Sequence, residues 1–378
     1  MAYAPGTSEY LLELLCCGLN DLVPTQKPDE IPWADVYAFA KEHGVSSFAY
    51  HIAQALLPDV EDCAGPWRDS YNAHLIQESN QNYELDHLCT LFSQQGIPHA
   101  PLKGACIRSL FPLPFLREMC DLDILIHGKD LETVHEIMLE EGYLYEAEHT
   151  TSNNREYHKK PYLNVEIHTD LLPKESDLYW YYEDIWDRLL PTAEEFRYCL
   201  KWDDIYIFSV AHAYKHYCLF GIGIRAVLDL YVLENRMRDQ LCRSYILGEL
   251  RKLGLEEFHN QLEAIGQRWF SPDGSACTAD AILSQEILEG AVYGHNRGIV
   301  VNGIYREMRS GKSIGAAKRS YLRRKIFPGC AFMRSAYPVL NKAPVLYPLF
   351  WPVRWISILL HKPEVIKQHF SETRSVDL

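Results

Sequence analysis

Apolar side chains recur at spacings of three and four along the first 95 residues. The stretches WADVYAFAKEHGV and YNAHLIQESNQNYELDHLCTLFSQQG both show this period, and the second ends at Gly96, where a helix often stops. Such a period is typical of helices that bury one face. The pattern therefore predicts an N-terminal helical region over residues 1–95.

The pattern changes at Ile97. IPHAPLKG predicts a short strand and a turn, DLDILI a strand, KDLETVHEIMLEEG a helix and YLNVEIHTDL a further strand. This alternation predicts an α/β unit over residues 96–195, with helices packed on its sheet. The helical period then returns and predicts a helical domain over residues 196–310, followed by a C-terminal tail over residues 311–378 that is rich in basic residues, proline and aromatics.

Composition places the chain among ordinary packed globular proteins, since 47% of its 378 residues are hydrophobic and 23% are charged. Glu9 and Glu13 interrupt the leucines near the N-terminus, so we predict no secretory signal and expect a cytoplasmic location. The 11 cysteines include no C-x-x-C pair. This spacing favours reduced thiols over a disulfide framework or a zinc site.

The charge of the chain is uneven. A formal net charge of −14 disfavours nucleic acid as a partner, because binding to phosphates needs a basic surface. Between Lys318 and Lys367, however, there are ten Lys or Arg residues and one acid. The apolar run APVLYPLFWPV in this tail is too short to span a bilayer. The tail is therefore expected to cover the acidic body of its own chain, or else to contact an anionic membrane surface or an acidic partner.

Two acidic residues, Asp121 and Asp123, interrupt an otherwise apolar predicted strand. Because side chains alternate along a strand, both face the same side, roughly 6.6 Å apart at the usual rise per residue. Two interpretations stay open. Either the strand ends at the surface, with the carboxylates solvated or paired with Arg117, or the two carboxylates bind a hard divalent cation such as Mg²⁺.

The neighbouring sequence supports the second interpretation. Glu166 lies in another predicted strand of the same unit, where a third carboxylate can reach the same ion. A turn with Lys103 and Gly104 precedes the aspartates; glycine allows the backbone to approach a phosphate, and lysine supplies positive charge. Three carboxylates, a glycine turn and nearby cations are what a Mg²⁺-bound triphosphate requires.

The motifs LKG, REMCDLDILI and VEIH together resemble the bacterial nucleotidyltransferase-like families of the DNA polymerase β superfold, most closely the group described as nucleotidyltransferase family protein. HAYKHYCLFGIGIRAVLDLYVL and the aromatic tail are similar to further parts of that group, so the resemblance covers most of the chain. It implies an α+β fold in which a polymerase β-like core, a mixed sheet with helices, is flanked by N-terminal and C-terminal helical regions.

The resemblance also implies the metal ligands. By motif they fall on Asp121, Asp123 and Glu166, which would hold two Mg²⁺ ions, and Glu166 would bind the metal ion on the nucleophile side or act as general base. The turn after Lys103 carries Ala105 where the superfold usually has a serine.

Several cations are candidates for nucleotide binding. Lys103 and Gly104 lie in the turn, and Arg117 precedes the aspartates, where a guanidinium can hold a phosphate by two hydrogen bonds. Lys215 and Arg225 lie in the stretch that shares the resemblance, although the default interpretation of Arg225 is a surface ion pair with Asp229, four residues further on.

Two histidines are candidates for substrate positioning. His168 lies two residues after Glu166 and so on the same face of the strand, where it either positions substrate or forms a structural hydrogen bond. His216 and His212 are one helical turn apart, but the intervening Ala213 replaces the general-base glutamate of a helical zinc-protease motif, which excludes that class of site.

Together these features predict a Mg²⁺-dependent nucleotidyltransferase. It would move a nucleoside monophosphate from an NTP to a hydroxyl or phosphate of an unidentified acceptor, either a small molecule or a peptide or protein. The alternative is a catalytically inactive module of the same fold that binds a nucleotide or a partner.

Overall fold

The structure is a computed structural model that describes most of the chain. The described residues are 3–57, 63–146, 153–161, 163–174, 176–219, 221–274, 277–290, 304, 313–327, 333, 337, 340 and 346–361. They belong to two separately packed units. The first comprises Met1–Tyr214 and Ile224–Ala281, and the second comprises Lys215–Gly223 and Ile282–Leu378.

Four helices form the N-terminal part of the first unit, as their apolar period predicts. They are α1 (Thr7–Leu19), α2 (Trp33–Glu42), α3 (Ser46–Ala53) and the long α4 (Ala64–Gln94). Gly96 follows α4 with a φ of 68°, a left-handed conformation that suits glycine at a helix end. The fully buried Trp67 packs against the rings of Trp33, Tyr37 and Tyr50 and ties the first helices to α4.

A five-stranded mixed sheet follows in the sequence. Its strands are β1 (His99–Pro101), β2 (Leu122–Ile126), β3 (Leu144–Tyr145), β4 (Asn154–Lys159) and β5 (Leu163–His168). Their spatial order is β1-β2-β5-β4-β3; β2 and β5 run parallel, and the other neighbours run antiparallel. The short helix α5 (Gly104–Ile107) follows β1, and α6 (Leu131–Glu140) follows β2. This mixed sheet with helices confirms the α+β fold class.

The core of this sheet lies between its strands and the helices α4 and α6. Leu122, Ile124 and Ile126 of β2 are fully buried in one cluster with apolar residues of α4, α6 and β5. Because neighbouring side chains of a strand point to opposite faces, Asp123 faces away from this cluster. Burial of the apolar positions therefore fixes the register that turns the acidic position to the other face of the sheet.

The rest of the first unit is mainly helical. It contains α7 (Tyr179–Tyr182), the small hairpin of β6 (Leu190–Pro191) and β7 (Tyr198–Cys199), the first part of α8 (Trp202–Leu219), α9 (Ile224–Arg236), α10 (Arg243–Lys252) and α11 (Glu256–Phe270). Gly266 of α11 packs against Tyr231 and Val227 of α9. Asn20 donates a hydrogen bond to the carbonyl of Phe270 at 2.8 Å, which joins α1 to α11.

The second unit contains nearly all of α12 (Ala281–Gly290), together with α13 (Ile314–Ile326) and α14 (Tyr347–His361). Trp355 of α14 donates a hydrogen bond to the carbonyl of Ile326 at 2.8 Å, so these two basic, aromatic segments contact each other. Lys342, Lys362 and Lys367 of the predicted basic tail lie outside the described residues. Among the helices that the structure describes, none is long and apolar enough to cross a membrane.

Candidate active site

The parallel pairing of β2 and β5 brings two predicted site residues together. Asp123 lies directly opposite Glu166, and Leu125 lies opposite His168. Asp121 immediately precedes the first residue of β2. Side-chain alternation turns Asp123, Glu166 and His168 to the same face of the sheet. The three residues come from two strands about 40 positions apart in sequence, and the parallel pairing of those strands places them side by side.

The polar atoms of this cluster lie within hydrogen-bonding distance. Lys103 Nζ is 2.5 Å from Asp123 Oδ1, and His168 Nε2 is 2.7 Å from the same oxygen. The His168 Nε2 atom is also 3.1 Å from Glu166 Oε2. Asn154 of β4 donates a hydrogen bond to Glu166 Oε2 at 2.9 Å and so fixes the orientation of that carboxylate. Two cationic or hydrogen-bonding groups therefore compensate the buried charge of Asp123.

Burial and charge separate the pKa values of the two aspartates. Burial and the nearby charge of Asp123 raise the pKa of Asp121 to about 6, against the opposing effect of Lys103. Burial alone raises the pKa of Asp123 as well, but Lys103 and His168 more than offset this and leave the pKa of Asp123 far below its usual range. The two carboxylates thus titrate in well-separated steps, as close like charges do.

The pKa values of the residues around Asp123, namely Lys103, His168 and Glu166, are also shifted. Burial lowers the pKa of Lys103, but the charge of Asp123 outweighs burial and raises it. Burial also lowers the pKa of His168, and its contacts with Asp123 and Glu166 reverse this effect. The pKa of Glu166 is lowered despite burial, because His168 donates a hydrogen bond to it. Lys103 therefore stays protonated at neutral pH, with its charge directed at Asp123.

The turn before α5 holds Lys103 in an unusual backbone conformation. Its φ is 46° and its ψ is −118°, and Leu102 just before it donates its backbone N–H to the carbonyl of Asp123 at 2.9 Å. Gly104 follows with no room for a side chain, since a Cβ atom there would overlap the guanidinium of Arg117 and lie 2.7 Å from Met119 Sδ. Glycine at this position thus allows Arg117 to pack closely, and the predicted role of the glycine in the approach of a phosphate stays a prediction.

Arg117 forms a buried ion pair with Asp229 of α9. Its Nε and Nη2 atoms donate to the two carboxylate oxygens, each at 2.8 Å, and the side chains are 9% and 13% exposed. Arg225, one turn before Asp229, donates to the carbonyl of Glu118 at 3.1 Å. Its charge also lowers the pKa of Asp121. These contacts fasten the segment that leads into β2 to α9.

Two further predicted residues belong to the other unit of the chain. Lys215 and His216 occur in the part of α8 that belongs to the second unit. Their predicted roles in nucleotide binding and substrate positioning stay predictions, as do the nucleotide contacts of Lys103, Arg117 and Arg225.

The donor atoms of the cluster suit a metal ion. One ligand atom each from Asp123, Glu166 and His168 lies within 4.8 Å of the others, on an acidic and largely buried surface. Carboxylate oxygens are the ligands that Mg²⁺ prefers, and imidazole nitrogen is a common ligand of transition-metal ions. The partly exposed Asp121, one position before β2, adds a further carboxylate at the edge of this cluster.

Two residues of the site lack a recognisable motif. Asn154 lies in β4, a polar strand that the apolar pattern does not predict, and its hydrogen bond to Glu166 becomes visible once β4 pairs with β5. Asp229 is 112 positions from Arg117 in the sequence, so no local spacing relates the two. Asp229 lies four residues after Arg225, a spacing that predicts an ion pair between these two residues and gives no indication of the pair with Arg117.

Comparisons with known proteins give the family. Among solved structures, the chain is similar to the solution structure of antibiotic-resistance factor ANT(2'')-Ia, with 12% sequence identity and a TM-score of 0.36 over 48% of this chain and 98% of that one. Among curated proteins, none matches the sequence. The family model described as "Uncharacterised nucleotidyltransferase" matches residues 29–271, which is more than half of the chain and includes every carboxylate of the site. The chain therefore belongs to this uncharacterised nucleotidyltransferase family.

Proposed function

We propose that the protein is a Mg²⁺-dependent nucleotidyltransferase that moves a nucleoside monophosphate from an NTP to a hydroxyl or phosphate of a small-molecule, peptide or protein acceptor. The observation that carries the proposal is the pairing of Asp123 with Glu166 across parallel strands, with Asp121 just ahead of them. Three carboxylates that interact electrostatically in a largely buried place are costly unless positive charge is brought to them. Membership of a nucleotidyltransferase family supports the same reaction class.

The reaction exchanges two phosphorus–oxygen bonds. An acceptor oxygen attacks the α-phosphorus of the NTP, and the bond from that phosphorus to the bridging oxygen of the β-phosphate breaks, so pyrophosphate leaves. The proton of the acceptor hydroxyl passes to a base. Glu166 is the proposed base, since its lowered pKa leaves the carboxylate ionised at neutral pH, Asn154 fixes its orientation, and its side chain is 21% exposed.

Asp121, Asp123 and Glu166 would hold Mg²⁺. When bound, the ion would neutralise charge on the triphosphate and lower the pKa of the attacking hydroxyl. Within the chain, Asp123 is the fixed member, because β2 is buried on both sides and the Asp123 side chain is 5% exposed. Asp121 is the adaptable member, since it lies outside the strand ladder and titrates near pH 6.

Lys103 is the proposed contact for the phosphates. The Lys103 side chain is 21% exposed, and its ammonium group carries positive charge beside the carboxylates, where a triphosphate would add negative charge. Arg225 lies close enough to Asp121 to affect its pKa and is the second candidate. Arg117 would act by holding the segment before β2 in place through Asp229.

Label transfer tests this proposal. Purified protein with Mg²⁺ and each of four α-labelled NTPs is incubated with a fractionated host lysate, in parallel with an Asp121→Asn, Asp123→Asn double variant. Asp69→Asn, at an exposed position of α4, is the matched control. We expect label on a lysate component or on the protein itself, reduced at least about a hundredfold in the double variant and unchanged in the control. Equal labelling by the double variant would refute the site assignment.

One observation favours the second candidate, a catalytically inactive nucleotide- or partner-binding module. Lys103 and His168 both contact Oδ1 of Asp123, so two groups of the chain already compensate this carboxylate. Mg²⁺-dependent thermal stabilisation by an NTP, measured beside the transfer assay, separates the two functions. Stabilisation without transfer to any fraction would indicate the binding module, whereas transfer would exclude it.

A further inference from the structure

His168 has no role in the three-carboxylate assignment, yet it lies at the centre of the cluster. Its side chain is 4% exposed, and Nε2 faces Asp123 Oδ1 at 2.7 Å and Glu166 Oε2 at 3.1 Å. Asp121, which the motif makes a ligand, does not belong to the group of converging donor atoms; His168 does. The structure thus brings an imidazole nitrogen into the group of donor atoms beside Asp123 and Glu166.

The distances fit ligands of one ion. Two neighbouring ligands at about 2.1 Å from an octahedral ion lie about 3.0 Å apart, because their bonds meet at a right angle. The two distances from His168 Nε2, 2.7 Å and 3.1 Å, lie on either side of this value. All three donor atoms lie within 4.8 Å of one another, close enough to converge on one ion once the contacts of Lys103 and His168 with Asp123 Oδ1 open.

A purely structural hydrogen bond explains the imidazole less well. Nε2 carries at most one hydrogen, but two carboxylate oxygens approach it. A hydrogen bond to one oxygen therefore leaves the other oxygen without a hydrogen from the ring. The opposite ring nitrogen, Nδ1, is buried, and it has no hydrogen-bond partner within the described part of the chain. The polar contacts of the ring within the described residues are therefore those of Nε2 with the two carboxylates.

We propose that His168 supplies a nitrogen ligand, beside Asp123 and Glu166, to the divalent ion of this site, and that the site binds a first-row transition-metal ion such as Mn²⁺ more tightly than Mg²⁺. Magnesium takes oxygen ligands and sheds water reluctantly, whereas transition-metal ions accept imidazole as well as carboxylate. The proposal rests on the proposed function for the location of the ion, and it differs in the ligand set.

Pulsed electron paramagnetic resonance of the full chain with Mn²⁺ alone tests this ligand set, because a directly bound imidazole adds a ¹⁴N coupling to the Mn²⁺ signal. We expect this coupling in the wild-type protein, its loss in His168→Gln, and its retention in His158→Gln. His158 is the matched control: it lies in β4 of the same sheet, pairs with Asn164 and Glu146, and is outside the cluster. Isothermal titration is expected to show at least about tenfold weaker Mn²⁺ binding in His168→Gln, with Mg²⁺ binding changed far less.

The outcomes separate this proposal from the proposed function. If Mn²⁺ binds the wild-type protein without ¹⁴N coupling, the proposed His168 ligand is wrong and the proposed carboxylate ligands are unaffected. This result is obtained with the wild-type protein and so does not depend on the folding of a variant. Binding of Mn²⁺ that is unchanged in Asp123→Asn overturns both, since the ion then lies elsewhere. Mg²⁺ binding as tight as that of Mn²⁺ overturns the proposed preference.

Discussion

The ion pair between Arg117 and Asp229 makes a quantitative prediction about stability. Two charge-assisted hydrogen bonds of 2.8 Å join side chains that are 9% and 13% exposed. Removing one partner of a buried pair typically costs about 3–5 kcal/mol, because the other charge stays buried without compensation. In Asp229→Asn the amide oxygen still accepts one hydrogen bond, and the small residual exposure adds some hydration. We therefore expect a loss of about 2–3 kcal/mol in the free energy of unfolding.

Equilibrium urea denaturation followed by tryptophan fluorescence measures this loss as a lower midpoint at an unchanged slope. Asp239→Asn, at an exposed position just after α9, is the matched control and is expected to stay within about 0.5 kcal/mol of the wild-type protein. A double variant, Arg117→Met with Asp229→Leu, is expected to recover most of the loss, because it leaves no buried charge. Asp229→Asn as stable as the Asp239→Asn control would refute the view that this pair is a main support of the segment before β2.

Three further predictions concern the surroundings of the carboxylates. Gly104→Ala places a methyl group against the guanidinium of Arg117 and is expected to lower the free energy of unfolding by about 1–3 kcal/mol. In Gly128→Ala the methyl group meets open space, so this control is expected to melt close to the wild-type temperature. Because the pKa of Asp121 is raised to about 6, its carboxylate is protonated below that pH. Titration calorimetry is therefore expected to show that the affinity for divalent ions falls by up to about tenfold per pH unit below pH 6, and that Asp121→Asn weakens this pH dependence. Lys103→Met leaves its buried carboxylate partner undercompensated, so this variant is expected to melt lower than the wild-type protein and to gain more stability from added Mg²⁺; equal gains would contradict the pairing.

The sequence predicts the parts of this fold in which one face is apolar. The period of three and four gives α2 and α4, and the apolar run around Asp123 gives β2 together with the face that its carboxylate occupies. By contrast, β4 (Asn154–Lys159) is not predicted, because within it only Tyr157 is deeply buried and its other side chains are polar on both faces. Without β4 the pattern gives too few strands and cannot show which strands are neighbours.

For the candidate site, the sequence predicts which side chains share a face of one strand. Period-two alternation puts Glu166 and His168 on one face, as they are in the structure, and Asp123 lies in the same cluster; the metal and catalytic roles of these residues stay predictions. The contact between His168 and Asp123 depends on the parallel register of two distant strands, which the sequence does not encode locally. For the same reason the ion pair of Arg117 with Asp229, 112 positions away, is not predictable from the sequence, and the predicted phosphate contact of Arg117 stays a prediction.

The backbone conformation of Lys103 lowers the stability of the turn that carries the ammonium group next to Asp123. A φ of 46° with a ψ of −118° is a conformation that glycine adopts freely and that a side chain disfavours by roughly 1–3 kcal/mol. A glycine at this position would relax the chain and lose the ammonium group beside Asp123. The lysine thus keeps its charge in place at the expense of local backbone energy, and the site is intrinsically less stable than the same turn built from glycines. Stabilising substitutions in this turn are therefore expected to weaken whatever the charged site binds, a trade-off that sets a limit on engineering the protein for thermal tolerance.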